Sequence, residues 1–241
     1  MKVWWKVLIT SKENSKVKHL KKLNTKKYRD EVGEFLIFGE HLIEEALKHF
    51  KIKEIYTTNN EKKGLLISKS IMNYISPYKS ITERVAIVEK LNIKKESNKV
   101  LILEDVQNPN NVGALLRSAS AFGFKKVIMS EKCADIYNDK TISSSKGAIF
   151  HLEIERTNIY DKIKQLKNDS YHIIATSLEA KGSPSYESKV ALILGNEGRG
   201  ITDKALSLAD SFAKIKTETV ESLNVVVAGS ILMYEWSLRW I

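Results

Sequence analysis

A single arginine follows a group of asparagines in the segment VQNPNNVGALLR (106–117), directly after an apolar stretch. Asn108, Asn110 and Asn111 are residues that favour turns and helix caps. Arg117 comes further along, on an otherwise apolar helix, and a guanidinium buried there needs an anionic partner. That partner could be an internal carboxylate or an anionic group of a ligand, so this segment is a candidate binding site.

A second candidate is the glycine-rich segment NEGRGIT (196–202), which follows the apolar run KVALILG (189–195). Gly195, Gly198 and Gly200 permit positive φ and a close approach of the backbone to a ligand. The spacing fits neither the dinucleotide-binding fingerprint nor the P-loop, and a simple tight turn is the alternative. Glu197 within this segment could accept hydrogen bonds from a basic group such as Arg117.

A third candidate is IKTETVESLNVVVAG (215–229), in which Glu221, Ser222 and Asn224 directly precede an apolar helix. Serine and asparagine are common N-caps, which is one explanation. The other is that the three polar residues end a binding loop, because the positive end of a helix favours negatively charged ligand groups.

Short apolar segments alternate with helical patterns from residue 100 onward. Strands are predicted at 100–105, 125–130, 151–156, 171–177, 189–195 and 211–216, and helices at 111–123, 137–150 (with a turn), 158–169, 203–210 and 224–240. This alternation is typical of a parallel sheet covered by helices on both faces. Ligands of such sheets bind beyond the carboxyl ends of the strands, and each of the three candidate segments follows a predicted strand.

The first 98 residues predict a separate, smaller α/β domain. Strands are expected at 34–39, 52–58 and 83–90, and helices at 15–24, 40–50 and 68–76. The polar segment 90–99 then separates a domain at 1–98 from a domain at 99–241. The initial MKVWWKVLIT (1–10) is interpreted as a terminal strand or appendage rather than a signal peptide.

The charge is unevenly distributed between these two parts of the chain. Residues 1–100 hold 22 basic and 12 acidic residues, whereas residues 101–241 hold 17 of each, so the net charge of +10 lies in the first part. The stretch 12–29 has eight basic residues and one acid. This asymmetry predicts a polyanionic partner, and a solvated lysine-rich face is the alternative. Cys133 is the only cysteine, which suits a reducing cytosol, and no apolar run is long enough for a membrane-spanning helix.

Three motifs resemble those of the SpoU/TrmH family of RNA 2′-O-ribose methyltransferases, within the SPOUT superfamily. They are N-x-G-x-x-x-R at Asn111, Gly113 and Arg117, then LILGNEGRGI, then ESLNVVVAGSILMYE, in the family's order over roughly 100–238. The first 98 residues are similar, through FLIFGEHLIEEAL, to the family's N-terminal substrate-binding domain, a small RNA-binding fold related to ribosomal proteins.

The resemblance implies a catalytic domain with a deep trefoil knot, S-adenosyl-L-methionine bound within the knot, and a homodimer whose partner chain completes the site. It implies that Arg117 is catalytic, as a base or as an electrostatic stabiliser, and that the supporting residues are Asn111, Glu197, Ser222 and Asn224. It implies that the cofactor is held by Leu178, Gly195, Asn196, Ile215 and Leu223. The family's I-P-M-x-G pattern is replaced here by IKTETVESLN, which changes the contacts expected at Lys216 and Thr217.

The expected function is methylation of a ribose 2′-hydroxyl in structured RNA by a cytoplasmic enzyme. 23S ribosomal RNA is the favoured substrate because the appended basic domain suggests a large folded target. The candidate RNA-binding residues of this basic domain are Lys18, Lys21, Lys22 and Lys26. The alternatives are a tRNA 2′-O-methyltransferase and a non-catalytic RNA-binding protein of ribosome assembly.

Overall fold

Two β-sheets organise the computed structural model, which describes residues 8–80, 82–90, 93–177, 188–220 and 222–238. The described residues up to 90, with 137–142, form one unit, here called the N-terminal unit. The described residues 93–136 and 143–238 form the C-terminal unit. Most of the initial segment 1–10 lies outside the described residues, although Ile9 forms one parallel bridge with Ile67.

The N-terminal unit has a four-stranded sheet with the strand order β1-β4-β2-β3. β4 lies between β1 and β2 and is antiparallel to both, whereas β2 and β3 are parallel. The strands are β1 (Glu34–Phe38), β2 (Ile52–Thr57), β3 (Leu65–Leu66) and β4 (Arg84–Glu89). The three predicted strands are confirmed, and β3 is too short to produce a periodic pattern.

Helices of the N-terminal unit bury an apolar face against this sheet. They are α1 (Ser15–Lys22), α2 (Lys26–Val32), α3 (Glu40–His49) and α4 (Lys69–Ile75). Val17, Leu20 and Leu23 are buried in the core, which confirms that the basic stretch contains an amphipathic helix. The side chain of Ser68 caps α4 by accepting a hydrogen bond of 3.2 Å from the Ile71 amide, as predicted. The sequence did not predict α2.

The C-terminal unit has a six-stranded sheet with the strand order β10-β8-β9-β5-β6-β7. All neighbouring strands are parallel, which confirms the predicted α/β fold. The strands are β5 (Lys99–Leu103), β6 (Lys126–Met129), β7 (Glu153–Arg156), β8 (His172–Thr176), β9 (Val190–Leu194) and β10 (Ser211–Ala213).

Helices cover both faces of this sheet, because alternate strand residues enter different cores. Leu101 and Leu103 of β5 pack in the core that contains residues of the first and last helices of the unit. Val100 and Ile102 pack in the opposite core. The helices are α5 (Pro109–Ala121), α7 (Ile159–Asn168), α8 (Asp203–Leu206) and α9 (Val225–Leu238), with a 3₁₀ turn at Ala148–Phe150. α6 (Asp139–Ser145) begins in residues 137–142, which belong to the N-terminal unit, and ends in the C-terminal unit. Within the described segments, no helix combines the length and apolar character that crossing a bilayer requires.

The chain diverges at the carboxyl ends of the two central strands. After β5 it enters α5 on one face of the sheet, and after β9 it enters α8, whose Leu206 packs on the opposite face. A divergence of this kind opens a crevice at the edge of a parallel sheet, where ligands of such folds bind. The fold therefore brings the first two candidate segments to the same edge.

Candidate active site

A cavity of about 560 Å³ lies beyond the carboxyl ends of β8, β9 and β10. Its wall consists of Thr176 and Ser177 at the end of β8, residues 194–201, 213–215 and 217 around the ends of β9 and β10, and residues 222–225 before α9, with Asp203, Leu206, Ala228 and Leu232. The volume is in the range of small-molecule sites, roughly 300–1,000 Å³. The structure thus brings the second and third candidate segments together in one cavity.

The loop after β9 folds back on itself at one wall of this cavity. Asn196 and Gly200 exchange two backbone hydrogen bonds of 3.0 Å. The Asn196 side chain accepts hydrogen bonds from the amides of Gly198 and Arg199, at 3.0 and 3.1 Å, and donates one of 2.9 Å to the carbonyl of Asp105. The loop is thereby closed internally and attached to the end of β5.

The glycines of this loop have different roles from those expected. Gly200 adopts a positive φ of 71°. A Cβ at position 195 would overlap the backbone of Gly200 and Ile201, so Gly195 is required by the fold of the loop itself. A Cβ at position 198 would meet only the Asn196 side chain, at 3.6 Å. The loop therefore requires glycine at 195 and favours it at 200, whereas position 198 has room for a side chain.

Glu197 connects the loop after β9 to the start of α5. Its carboxylate accepts a hydrogen bond of 3.0 Å from the Asn111 side chain, and bonds of 3.2 and 3.4 Å from the amides of Asn108 and Gln107. Partial burial raises the pKa of Glu197, but these hydrogen bonds outweigh it, so the pKa is below its usual value. Glu197 is therefore ionised at neutral pH. The prediction that Arg117 donates to Glu197 is wrong, because the side chain that donates to this carboxylate is that of Asn111.

Arg117 is exposed on α5, which corrects the expectation of a buried guanidinium. It makes no hydrogen bond or ion pair with another residue of the chain as described, and it is not among the residues that line the cavity. The neighbouring Ser118 hydroxyl lies 2.7 Å from that of Ser230 and so fixes α5 beside α9. The guanidinium is thus held on a packed helix with its charge available to a ligand.

The polar residues before α9 act both as a helix cap and as part of the cavity wall, the two roles that the sequence left open. The Asn224 side chain caps α9 by accepting a hydrogen bond of 2.9 Å from the Val226 amide, and Asn224 also lines the cavity. Ser222 lines the cavity and is exposed, and its hydroxyl has no hydrogen-bond partner among the described residues. Glu221 and Leu178 lie outside the described residues.

The altered loop before Ser222 still reaches the cavity. Ile215 and Thr217 line it, together with Leu223. The Thr217 hydroxyl donates a hydrogen bond of 2.6 Å to the Val220 carbonyl, which closes a local turn. The loop is therefore locally organised without the proline and glycine of the family's usual pattern.

Two carboxylates at the end of β5 hold the glycine loop at its middle and at its end, and neither was predicted from the sequence as a site residue. Asp105, at a φ of 56°, forms an ion pair with Arg199 and accepts a hydrogen bond of 2.6 Å from Ser130. Glu104 accepts hydrogen bonds of 2.9 and 2.7 Å from the amide and hydroxyl of Thr202. Two adjacent acids ending the apolar strand VLILED were the available indication, because buried carboxylates require partners.

Comparisons with known proteins agree with this geometry. The SpoU rRNA Methylase family model matches residues 98–234, and the model of the MRM3-like substrate binding domain matches residues 14–100.

Two curated relatives and one solved structure match most of the chain. The 23S rRNA (guanosine(2553)-2′-O)-methyltransferase RlmP of Bacillus subtilis is 36% identical, covering 94% of this chain and 97% of the relative. A putative TrmH family tRNA/rRNA methyltransferase of Staphylococcus saprophyticus is 30% identical, covering 80% and 85%. The crystal structure of an AdoMet-bound rRNA methyltransferase from Sinorhizobium meliloti has a TM-score of 0.87 and 26% identity, covering 98% of each chain.

Proposed function

The chain belongs to the SpoU rRNA methylase family, and from this we propose that it transfers a methyl group from S-adenosyl-L-methionine to a ribose 2′-hydroxyl of 23S ribosomal RNA. The observation that carries the proposal is the similarity to the Bacillus subtilis 23S rRNA 2′-O-methyltransferase, which extends over 94% of this chain and so includes both units. The cavity at the sheet edge and the exposed Arg117 on α5 supply the two parts that such a reaction needs.

The cavity fits the cofactor in size and in chemistry. It combines apolar side chains such as Leu206 and Leu232 with the polar side chains of Thr176, Ser177 and Asn224. We assign the cofactor to Gly195, Asn196, Ile215 and Leu223, all of which line the cavity, and keep Leu178 as a candidate. When bound, the cofactor supplies a methyl group on a positively charged sulfur, which is a good leaving group.

Arg117 is proposed to act on the substrate RNA. The target hydroxyl has to be held in line with the methyl group, and negative charge develops on its oxygen as it loses its proton. A guanidinium keeps its proton in proteins, so Arg117 is assigned to the phosphate next to the target ribose and to the developing charge rather than to proton removal. Arg117 is exposed and has no hydrogen-bond or ion-pair partner in the part of the chain that the structure describes, which supports this role.

The other polar residues are proposed to position the site. Ser222 lies at the cavity wall, has no hydrogen-bond partner among the described residues, and can hydrogen-bond the ribose. Asn224 fixes the start of α9, and the pair formed by Asn111 and Glu197 fixes α5, which carries Arg117, relative to the loop after β9. Ser222, Asn224 and Asn111 are not proton acceptors at neutral pH, and the Glu197 carboxylate is already engaged in hydrogen bonds. These residues therefore act by orienting the site.

A homodimer is proposed to complete the site, because Arg117 does not line the cavity of its own chain. α9 has an apolar stripe formed by Val227, Ile231, Tyr234 and Leu238, in which Val227, Tyr234 and Leu238 are 46%, 49% and 52% exposed. Residues at this spacing share one face of a helix. A continuous apolar face of this kind is typical of an interface.

Three further predictions accompany this function. We expect a deep trefoil knot in the C-terminal unit, a domain boundary at residues 98/99, and a cytoplasmic location, where ribosomal RNA is modified. The N-terminal domain is expected to bind the RNA.

Methyl transfer to purified RNA tests the proposal. The protein is incubated with radiolabelled S-adenosyl-L-methionine and, separately, with 23S rRNA fragments and with tRNA, both from a strain that lacks the gene. We expect label in one 23S rRNA fragment, mapped to a single 2′-O-methyl ribose by mass spectrometry. Label in tRNA alone would replace the rRNA assignment with the tRNA alternative. Cofactor binding without transfer to either RNA, or no cofactor binding, would favour a non-catalytic RNA-binding protein.

A further inference from the structure

The lysines of the basic stretch 12–29 fall into two groups in the structure. The first group consists of lysines that pair with a carboxylate at 2.5–2.6 Å. The pairs are Lys16 with Glu54, Lys18 with Glu13, and Lys26 with Asp30. Because each of these charges has an acid beside it, this group adds little net potential to the surface of the N-terminal unit.

The second group consists of the lysines without a carboxylate partner among the described residues, and it includes Lys12 and Lys21. Their ammonium groups lie instead 4.7 and 4.8 Å from the centroid of the same ring, that of Tyr74 on α4. An aromatic ring attracts a cation but does not neutralise its charge. The two ammonium groups are therefore uncompensated, and they are at most about 10 Å apart, within one screening length at 0.1 M salt.

This arrangement is built on a rigid base. The Lys21 ammonium donates a hydrogen bond of 2.7 Å to the Tyr74 carbonyl, and the Asn24 side chain donates one of 2.8 Å to the Ile75 carbonyl. These bonds tie the end of α4 to α1 and the turn after it. Leu20 and Ile71 are buried beneath them. Two like charges and a ring are thus held together before any ligand binds, which lowers the entropic cost of binding.

We propose that Lys12, Lys21 and Tyr74, here called the Tyr74 platform, form the surface on which the N-terminal unit binds RNA. The two ammonium groups bind neighbouring backbone phosphates, and the Tyr74 ring stacks on an unpaired base. Phosphates favour the place where positive charge is uncompensated, and aromatic rings beside cations are the usual means of binding unpaired nucleotides. The Tyr74 hydroxyl makes no hydrogen bond within the described residues, so it is available as well. This inference rests on the proposed function, which supplies an RNA substrate.

The test compares two double variants that remove the same charge. K12Q/K21Q removes the lysines of the Tyr74 platform. K48Q/K51Q removes two exposed lysines of the same unit that pair with Glu45 and Glu89. Affinity for the 23S rRNA fragment that the wild type binds most tightly is measured by fluorescence anisotropy across a salt series.

We expect K12Q/K21Q to bind at least tenfold more weakly at 0.1 M salt. The slope of log affinity against log salt should fall by about 1.4–1.8, as two lost phosphate contacts predict. K48Q/K51Q should stay within threefold of the wild type. Equal losses in the two variants would mean that only net charge matters and would overturn the proposal.

Tyr74 is tested with Y74F and Y74A, with thermal unfolding as a check on the fold. If the ring stacks on a base, Y74F should bind within threefold of the wild type, and Y74A at least fivefold more weakly. If Y74A is unfolded, Y74L is used instead, because leucine keeps apolar volume without an aromatic face. Y74L should then also bind at least fivefold more weakly than the wild type. Full affinity in the folded aliphatic variant would overturn the stacking role.

The outcome for this surface is distinguishable from that for the proposed function. Failure of the wild type to methylate any rRNA, while it binds RNA through Lys12 and Lys21, would remove the function and keep the surface. Normal methylation by the wild type with no loss of affinity in K12Q/K21Q would remove the surface and keep the function. Cofactor affinity, measured by calorimetry, should be unchanged in all of these variants.

Discussion

The side-chain amide of Asn111 donates a hydrogen bond of 3.0 Å to the carboxylate of Glu197, 86 positions further along the chain. This bond joins the start of α5, which carries Arg117, to the glycine loop at the cavity wall. Together with the bonds from the Asn108 and Gln107 amides to the same carboxylate, it connects the proposed cofactor site to the helix of the proposed catalytic residue. Its loss should affect both.

Replacing Glu197 with glutamine should weaken this connection without changing the volume of the side chain. The two carboxylate oxygens of Glu197 accept from the backbone amides of Asn108 and Gln107. Glutamine replaces one of these oxygens with an NH₂ group, so one of the two amides loses its acceptor. A hydrogen bond of this kind contributes about 1–2 kcal/mol, so cofactor affinity should fall roughly tenfold. Calorimetric titration measures this affinity. In N111A/E197Q the loss should be smaller than the sum of the single losses, and strict additivity would contradict the coupling.

The cofactor affinity should depend on pH through the same carboxylate. The pKa of Glu197 is lowered, because the hydrogen bonds from Asn111 and the backbone outweigh the effect of partial burial. Its contribution is therefore complete above the ordinary glutamate pKa of 4.5 and is lost as the pH falls through the lowered value. We expect constant affinity from pH 7 down to the ordinary pKa of 4.5 and a decline as the pH falls further, measured by titration at each pH. E197Q should show a smaller decline, and an equal one would assign it to another group.

Arg117→Lys should reduce methyl transfer while cofactor binding stays within twofold of the wild type. Lysine keeps the charge but loses the planar pair of donors that fits a phosphate or an oxyanion. The removal of one such donor typically lowers the rate by about 100- to 1,000-fold. Single-turnover transfer with radiolabelled cofactor measures the rate. Because Arg117 is exposed and has no partner among the described residues, the thermal unfolding of the variant should match that of the wild type. Wild-type turnover in the variant would refute the assignment.

The architecture was predictable because it follows from local patterns. The apolar runs of β5 and β9 are buried throughout apart from Lys99, and such runs can be recognised without knowledge of the fold. Their carboxyl ends meet because parallel strands point the same way, so the exits that carry Gly195 and Asn111 had to lie near each other. The identity of the side chains that would touch there was not predictable in the same way.

The exact contacts depend on where distant segments lie, which the periodicity of one segment does not contain. Arg117 was expected to be buried because its helix is apolar, yet it lies on the exposed side of α5. Glu104 lies within a predicted strand, and only the fold brings Thr202 to it. The need for Gly195 arises from a contact with Gly200, made by a loop geometry that the sequence does not specify.

Gly195→Ala should therefore act on the loop rather than directly on the cofactor. Its Cβ would overlap backbone atoms of Gly200 and Ile201, which cannot move without breaking the two hydrogen bonds between Asn196 and Gly200. We expect thermal unfolding at a lower temperature, and cofactor affinity reduced at least tenfold. Gly198→Ala is the matched control for the fold, because a Cβ there has ordinary van der Waals room. Unchanged unfolding of Gly195→Ala would show that the loop has another conformation in solution.

The apolar stripe of α9 should be the surface through which two chains associate. Val227→Glu places a charge on this stripe, and burying a carboxylate without a partner is far more costly than exposing a valine. Light scattering after gel filtration should show a dimer for the wild type and a monomer for the variant at micromolar concentration. Leu47→Glu, at a residue of α3 that is 58% exposed but outside the stripe, is the matched control and should remain a dimer.

If the partner completes the site, methyl transfer should be lost in the Val227→Glu monomer and kept in the Leu47→Glu dimer. A monomer that transfers methyl at the wild-type rate would show that each chain holds a complete site.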